Sequence, residues 1–356
     1  MKKTTQVLLC CLATSACNAP DPAAIHLASI PLDSHVDIPF DYATDAVDPL
    51  DADLQVNIEK MHEGGLDAAF FIVYVGQTER TAENYLQAQA DAMTKFDAIH
   101  RKTERLYPDL IGLAYSSGDV ERLVDEGRLV AAIGIENGYV IGTDLDLLDR
   151  YFELGARYMT LVHNGHNDIA DSAQPREELG DQGPEHSGIS DFGASVIQRM
   201  NELGIMVDIS HASKEAALEA IELSAAPVIA SHSSVRALTD HVRNLDDETL
   251  LALRDNGGVV QIVAFEAYIG DEESSTVNDL VDHIDHAVEL IGIEHVGISS
   301  DFGGGGGVEG WNDATETPNV TAELVRRGYS EAEIGLLWSG NLLRVWREVE
   351  EIAARL

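Results

Sequence analysis

The chain has 356 residues and a formal net charge of −39, from 62 acidic and 23 basic residues. A surface this acidic repels phosphate backbones, which argues against nucleic acid as a partner. The hydrophobic content of 45% is ordinary for a folded protein, and the length suits one large domain such as a barrel of about 250 residues or more. We therefore expect a single barrel domain over residues 21–356.

The first 20 residues have the character of a signal peptide. Two lysines precede the apolar run 7–13, which is too short to span a bilayer as a helix. Residues 14–17, Thr-Ser-Ala-Cys, resemble a bacterial lipobox, which predicts cleavage before Cys17 and lipid attachment through its thiol. An ordinary cut near Ala16 or Ala19 is the alternative.

Both cleavage sites predict an exported protein. The lipobox further predicts a location in the bacterial periplasm or cell envelope, with membrane attachment through a lipidated Cys17. The cysteine content agrees, because all three cysteines lie in this segment. The body of the chain has none for a disulfide, a thiolate metal site or a cysteine nucleophile.

Eight apolar runs rich in β-forming residues follow, and helical patterns separate most of them. This alternation predicts a parallel sheet, and eight repeats predict its closure into a (β/α)8 TIM-type barrel. The predicted strands lie near residues 28–34, 67–75, 129–136, 157–163, 204–210, 226–232, 257–263 and 295–301. The predicted helices cover residues 82–105, 144–154, 190–203, 214–223, 246–254 and 277–290. Long polar loops are expected at 171–190, 270–278 and 302–318, on the side where an active site would lie.

Six of the apolar runs end on a residue that can bind a metal or move a proton. In a barrel the carboxyl ends of the strands form one face, and the active site lies there. His35 and Asp37 are two positions apart on the first strand and therefore point the same way, although such a pair is also typical of a structural contact. His211 and His232 end two consecutive strands, and imidazole suits zinc and similar metals.

Three further strand ends complete the predicted site. Glu136 ends the third strand and has two oxygens with which to bridge two metals; a salt bridge within the barrel is the alternative. Asp301 ends the eighth strand, where a carboxylate can take a proton from a metal-bound water. His163 ends the fourth strand, where it can polarise a substrate carbonyl, and His166 is the alternative for that role.

Taken in order, these motifs resemble those of the membrane (renal-type) dipeptidases, a family of binuclear zinc peptidases. Val36 and Gly303 depart from the family pattern, since polar residues are common at these two positions, and the cysteines that bridge the mammalian members are absent. The resemblance covers residues 28–346 and is carried by segments 34–37, 132–138, 158–163, 170–172, 207–213, 227–234, 243–247 and 295–302.

The resemblance implies a (β/α)8 barrel with two zinc ions at the carboxyl ends of the strands. It places Asp301 beside the bridging water, His163 against the scissile peptide group and Arg243 at the terminal carboxylate of the substrate. The metal ligands that it implies are His35, Asp37 and Glu136 for one zinc, and Glu136, His211 and His232 for the other.

The resulting hypothesis is hydrolysis of a dipeptide by a hydroxide held between the two metals. The planar fork of Arg243 would confine cleavage to short peptides with a free carboxyl terminus. The resemblance also implies that dipeptides with a C-terminal D-residue are substrates, because bacterial members of the family accept them. Such peptides arise from cell-wall turnover, which agrees with an exported enzyme. Homodimers are frequent in the family, so a second copy of the chain is a candidate partner.

Two alternatives stay open from the sequence alone. The same barrel and metals would serve an amidohydrolase acting on a lactone or cyclic amide, or an enzyme acting on a phosphoester, although Arg243 argues for a substrate that carries a carboxylate. The second alternative is a lipid-anchored binding protein without catalysis. The complete set of ligands together with Asp301 argues against it.

Overall fold

The computed structural model describes residues 21–270 and 274–356 of the chain. Nine parallel strands form one sheet: β1 (Leu32–Asp37), β2 (Ala68–Tyr74), β3 (Ile111–Leu113), β4 (Leu129–Glu136), β5 (Ala156–Thr160), β6 (Met206–Asp208), β7 (Ile229–Ser233), β8 (Val259–Val263) and β9 (Val296–Ser299).

Eight of these strands follow one another around a barrel in the order β1-β2-β4-β5-β6-β7-β8-β9. The backbone N–H of Asp37 donates to the carbonyl of Phe302 at 2.8 Å, which joins the end of β1 to the residues after β9. The predicted (β/α)8 barrel is therefore confirmed. Strand β3 is an addition that the sequence did not predict. It pairs with the first half of β4, on the edge that β5 occupies further along.

Helices follow most strands and cover the outside of the barrel. Every predicted helix is found, with ends that differ by a few residues; the one predicted over 82–105 ends as a π-helical turn at Lys102–Leu106. The helices are α1 (Pro22–Ala28), α2 (Ile58–Gly64), α3 (Ala82–Arg101), α4 (Ser117–Asp125), α5 (Leu147–Glu153), α6 (Asp191–Leu203), α7 (Lys214–Leu223), α8 (Asp247–Asn256), α9 (Glu266–Ile269), α10 (Val277–Ile291), α11 (Thr317–Arg327), α12 (Glu331–Gly335) and α13 (Asn341–Ala353).

Local sequence sets the ends of these helices. The Ser190 hydroxyl accepts a hydrogen bond from the Gly193 N–H and so satisfies a free donor in the first turn of α6. The same helix ends at Gly204, whose φ of 85° places it in the left-handed region that glycine adopts without strain. The short turn that follows leads directly into β6, so the capping residues fix where this strand begins.

The barrel interior is tightly filled below the predicted site. All eight residues of β4 are buried, as expected for a parallel strand covered on both faces. A Cβ atom at Gly134 would lie 2.2 Å from the ring of Tyr158, so the absence of a side chain at this position makes room for that ring. The Tyr158 ring in turn supports His35 from below, as its hydrogen bond shows.

The predicted signal peptide, including Cys17, lies outside the described residues, so its cleavage and lipidation stay predictions. Across residues 21–270 and 274–356, no helix combines the length and the apolar character needed to cross a membrane.

Lys102 is a fully buried lysine in the hydrophobic core. Its Nζ lies 2.9 Å from the centroid of the Phe71 ring and has no hydrogen-bond partner among the described residues. Burial lowers the pKa of this amine well below its usual value. Lys102→Met is therefore expected to stabilise the protein by about 1–3 kcal/mol, because an unpaired buried polar group costs that much. Thermal unfolding followed by circular dichroism measures the change.

Lys60→Met is the matched control for this prediction. The Lys60 Nζ donates to the carbonyl of Leu54 at 2.7 Å and pairs with Asp313 at 2.9 Å. Loss of these contacts should lower the melting temperature slightly, whereas Lys102→Met should raise it by a few degrees. A Lys102→Met protein that melts below the wild type would contradict the prediction.

Candidate metal centre

The strand ends converge on one cavity of about 330 Å³ at the carboxyl face of the barrel. Most of the predicted site residues line it, and His35 lies fully buried beneath them. The cavity is lined by Asp37, Tyr74, Glu136, His163, Asn164, His211, His232, Arg243, Phe265, Tyr268, Asp301, Gly303 and Gly304.

Glu136 lies at the centre of the cluster, between two groups of imidazoles. Its Oε2 atom is 3.6 Å from the Nε2 atom of His35. Its Oε1 atom is 3.0 Å from the Nε2 atom of His211 and 3.4 Å from that of His232. The two oxygens of one carboxylate therefore face opposite sides of the site, which is the arrangement that a bridging ligand requires.

Hydrogen bonds fix the tautomer of His35. The Tyr158 hydroxyl donates to the carbonyl of Ser34 at 2.9 Å, so it accepts a hydrogen bond from the His35 Nδ1 atom at 3.0 Å. The proton of the neutral ring is then on Nδ1, and Nε2 is left with a lone pair. This buried Nε2 atom has no hydrogen-bond partner among the described residues. A buried, unpaired acceptor that faces carboxylates fits a metal ligand.

The other two imidazoles are oriented in the same way. The Ser231 hydroxyl donates to the Asp208 carboxylate at 2.6 Å and accepts from the His232 Nδ1 atom at 2.8 Å. The Nδ1 atom of His211 is 3.1 Å from the side-chain oxygen of Asn164. Both Nε2 atoms are therefore unprotonated, yet they lie 2.9 Å apart. Two lone pairs at this distance repel each other unless a cation binds them, so the residues fit a metal centre.

The electrostatics of the site also favour added positive charge. Burial alone would lower the pKa of His35, but the carboxylates of Glu136 and Asp37 outweigh burial and hold that pKa well above its usual value, so they favour a positive charge at Nε2, either a proton or a metal ion in its place. Burial raises the pKa of Asp301 to about 8; His35 opposes this shift, while Asp37 adds to it. A bound cation would relieve this excess of carboxylates. Imidazole and carboxylate ligands without a thiolate suit zinc and related metals.

Two residues of the site have strained backbones. His211 has a φ of 66° and Asp301 a φ of 60°, and they lie in the loops just after β6 and β9, respectively. Residues other than glycine seldom adopt this left-handed region, which costs on the order of 1–3 kcal/mol when the surroundings enforce it. Strain of this kind is concentrated at functional sites, and here it turns both side chains toward the cavity.

His163 lies close enough to Glu136 and His211 to be a candidate metal ligand as well as a substrate contact. Its Nε2 atom is 3.6 Å from the Oε1 atom of Glu136, and its ring centroid is 4.1 Å from that of His211. These three side chains form one of the groups whose donor atoms are close enough to hold a metal ion. The sequence predicted His163 as a contact of the substrate and did not consider it as a ligand.

His166, the alternative to His163, has a structural environment. Its Nε2 atom is 3.0 Å from the carbonyl of Gly183, and its Nδ1 atom accepts a hydrogen bond from the Ser172 N–H at 2.9 Å. Both ring nitrogens therefore bind the backbone of the loop after β5. The geometry favours His163 over His166 for a role in the cavity.

Arg243 lines the cavity and has an unpaired donor. It is buried, and its guanidinium lies 5.5 Å from the centroid of the Tyr268 ring. Its Nη2 atom makes one long hydrogen bond of 3.4 Å to the carbonyl of His232, and its Nε atom has no partner among the described residues. A buried guanidinium with free donors is a suitable site for a carboxylate.

The buried carboxylates behind the metal cluster are absent from the sequence-based prediction. Asp208 binds Ser231, and Asp33 accepts hydrogen bonds from the backbone N–H groups of His35 at 3.2 Å and Ser300 at 3.0 Å. Both lie inside apolar runs, where an ionisable residue must have partners to be buried. An acidic residue inside an apolar run is therefore the sequence signal that could have predicted Asp33 and Asp208 as buried, hydrogen-bonded carboxylates.

Gly304 makes room for two of the carboxylates. A Cβ atom there would lie 2.5 Å from Asp301 Oδ1 and 2.6 Å from Asp37 Oδ2. Gly304→Ala is therefore expected to displace these side chains and to lower kcat/KM by about 10²-fold, the cost of a misplacement of about 1 Å. Steady-state kinetics and thermal unfolding measure the effect.

The control for this prediction is Gly335→Ala, because a Cβ atom at Gly335 would meet nothing within 4 Å. This helical position should accept alanine with unchanged kinetics and equal or slightly higher stability. Wild-type kinetics in Gly304→Ala would show that the two carboxylates tolerate the displacement.

Comparison with known proteins now identifies the family. The family model for Membrane dipeptidase (Peptidase family M19) matches residues 22–356. The chain belongs to the membrane dipeptidase family. Dipeptidase verJ of Clonostachys rogersoniana is 36% identical over 345 residues, which are 93% of this chain and 87% of that protein. Dipeptidase aclJ of Aspergillus oryzae is 36% identical over 309 residues, or 85% and 72% of the two chains.

A solved structure agrees with this membership. The probable dipeptidase PvdM from Pseudomonas aeruginosa has a TM-score of 0.89 and 32% identity, and the match covers 93% of this chain and 98% of that one. The protein is thus a dipeptidase of a metallopeptidase family, and the family and the enzyme class predicted from the sequence are confirmed.

Proposed function

We propose that this membrane dipeptidase family member is a zinc enzyme with two ions per chain. The observation that carries the proposal is Glu136, whose two oxygens face separate groups of imidazoles. The bare Nε2 atoms of the histidines further support a cation on each side. The proposed ligands are His35, Asp37 and Glu136 for one ion, and Glu136, His211 and His232 for the other.

Two bound zinc ions would supply a nucleophilic water at neutral pH and polarise the scissile carbonyl. Asp301 would accept the proton of the attacking water and pass it to the leaving amine. Burial lowers the pKa of His163, so its neutral ring can donate an N–H to the carbonyl oxygen as negative charge develops there. Each of these two groups lines the cavity beside Glu136.

Arg243 would bind the terminal carboxylate of the substrate and exclude peptides that continue beyond the second residue. Its buried guanidinium with unpaired donors supports this role. We include dipeptides with a C-terminal D-residue among the substrates, since the clamp recognises a carboxylate that L- and D-residues share. The resemblance to bacterial members of the family supports this part of the proposal.

We further propose that the enzyme is exported and attached to the cell envelope through a lipidated Cys17. The basic, apolar and small-residue pattern of the first 20 residues supports this location. Peptides released from cell-wall turnover would be available there. A homodimer is proposed from the family resemblance alone.

The test combines metal analysis with hydrolysis of L-Ala-D-Ala, L-Ala-L-Ala and L-Ala-L-Ala-L-Ala by zinc-reconstituted protein. Cleavage of a dipeptide but not of the tripeptide, with two zinc ions per chain, is the expected result. His163→Ala should keep both ions and lower kcat, whereas loss of an ion would make His163 a ligand. If no peptide is cleaved with two ions bound, the lactone or cyclic-amide alternative replaces the proposal.

A further inference from the structure

Lys95 is a second buried lysine, and unlike Lys102 it lies beside the metal cavity. Lys95 is on helix α3, and only 4% of its surface is exposed. Its Nζ atom lies 5.0 Å from the ring centroid of Phe40 and 5.5 Å from that of Tyr74. Within the part of the chain that the structure describes, this ammonium makes no hydrogen bond and no ion pair. Contact with aromatic rings offsets only part of the cost of burying a charge.

Lys95 lines a side cavity of about 250 Å³ that adjoins the metal cavity. The two cavities share Asp37, Tyr74 and Gly303 as lining residues. The remaining walls of the side cavity are mostly apolar and are formed by Val36, Ile38, Pro39, Leu54, Val56 and Phe302, with Gln55 beside them. The side cavity is thus a mostly apolar pocket that contains the Lys95 ammonium and shares the Asp37 carboxylate with the metal cavity.

The order of the strands places this pocket across the barrel from Arg243. Tyr74 ends β2 and Arg243 follows β7, and these strands are four positions apart in a ring of eight. A dipeptide whose terminal carboxylate binds Arg243 and whose scissile bond lies at Glu136 must therefore extend its first residue toward β1 and β2. The pocket around Lys95 lies on that side.

From this geometry we infer that the Lys95 pocket binds the side chain of the N-terminal residue of the substrate, and that it selects an acidic side chain. The inference rests on the proposed dipeptidase function and on the position of Arg243. The methylene groups of a glutamate or aspartate would contact the apolar walls, and the carboxylate would pair with the unpaired ammonium. A basic side chain would be repelled, and a neutral amide of equal size would lack the charge-assisted hydrogen bond.

The first experiment compares L-Glu-L-Ala, L-Gln-L-Ala and L-Lys-L-Ala as substrates of the wild-type holoenzyme. We expect kcat/KM for the glutamyl peptide to exceed that for the glutaminyl peptide by about 10- to 100-fold, the usual effect of a hydrogen bond to a charged group. The lysyl peptide should be the poorest of the three. Equal kcat/KM values for the glutamyl and glutaminyl peptides would overturn the inference without any variant being needed.

The second experiment uses variants and reads the ratio of the two kcat/KM values. Lys95→Met should reduce the ratio of glutamyl to glutaminyl peptide to about one, and Lys95→Arg should restore part of it. Lys102→Met is the matched control, because it removes a buried lysine amine in the helical turn that follows α3, and Lys102 lines neither cavity. An unchanged ratio in Lys95→Met, or an equal loss in Lys102→Met, would overturn the inference.

A binding measurement separates this inference from the proposed function. Calorimetric titration of the glutamyl and glutaminyl peptides into the Asp301→Asn holoenzyme measures affinity without turnover. Tighter binding of the glutamyl peptide supports the proposed selectivity of the Lys95 pocket even if neither peptide is hydrolysed. Equal affinities refute that selectivity even if both peptides are cleaved. Absence of cleavage of every dipeptide by the wild type would refute the proposed function instead.

Discussion

Glu136→Gln is expected to abolish binding of both metal ions and to lower kcat/KM by about 10³-fold or more. General acid–base catalysis contributes about 10²–10⁴-fold and electrostatic stabilisation about 10²–10³-fold, and both need an assembled metal site. The substitution removes the charge of a residue that faces all three predicted histidine ligands. A glutamine amide would also donate N–H groups to the bare Nε2 atoms of His211 and His232. The Nε2 atoms of these histidines would then have hydrogen-bond donors in place of a metal. The affinity for metal ions therefore falls both from the lost charge and from this competing hydrogen bonding.

Elemental analysis of the dialysed protein measures metal content, and steady-state kinetics on a dipeptide measure activity. Glu350→Gln is the matched control. Its carboxylate accepts hydrogen bonds from the backbone and the hydroxyl of Ser117, near the start of helix α4, and it lines no part of the metal cavity. That variant should keep both ions and full activity. Two ions in Glu136→Gln would show that the carboxylate does not bridge them.

The parts of this site that the sequence predicted follow from one rule of architecture. Parallel strands in a barrel end on the same face, so His35, Glu136 and His232 were predicted to meet although up to about 200 residues separate them in the chain. Each of these residues ends or lies on a strand of the barrel, and their donor atoms all lie within 4.8 Å of one another. Residues that can bind a metal recur at the ends of the predicted strands, so the sequence predicts their common location without any knowledge of side-chain packing.

The parts that the sequence did not predict depend on packing between distant elements. Lys95 lies in helix α3, and the sequence pattern of that helix gives no sign that this side chain is buried. Its neighbour Phe40 lies far away in sequence, in a loop after β1. Asn164 and Tyr158 orient two of the histidines, but their partners become known only when β5 is placed beside β6 and across the barrel interior from β1. The left-handed backbones of His211 and Asp301 likewise carry no signal in the residue types, since neither is glycine. Strand β3 was missed because three residues are too few to show a period.

Asp301→Asn is expected to keep both metal ions and to lower kcat by about 10²–10⁴-fold, the range found for removal of a general acid–base group. Asn is nearly isosteric with Asp, so the left-handed backbone and the packing around it should persist. An amide cannot take up a proton from water and return it to a leaving amine. The effect should fall on kcat more than on KM, because the residue would act on the reacting water rather than on the bound peptide.

Metal analysis beside the kinetics decides between two roles for this carboxylate. The Oδ1 atom of Asp301 lies 3.8 Å from the Nε2 atom of His35, and these two residues together with Asp37 form a group that could hold a metal ion. Asp313→Asn serves as the control on the same loop, since the Asp313 carboxylate pairs with Lys60 at 2.9 Å outside the cavity. A slow Asp301→Asn enzyme with two ions assigns proton transfer to Asp301. Loss of one ion would instead make Asp301 a ligand beside His35 and Asp37, and the proton would then need another acceptor.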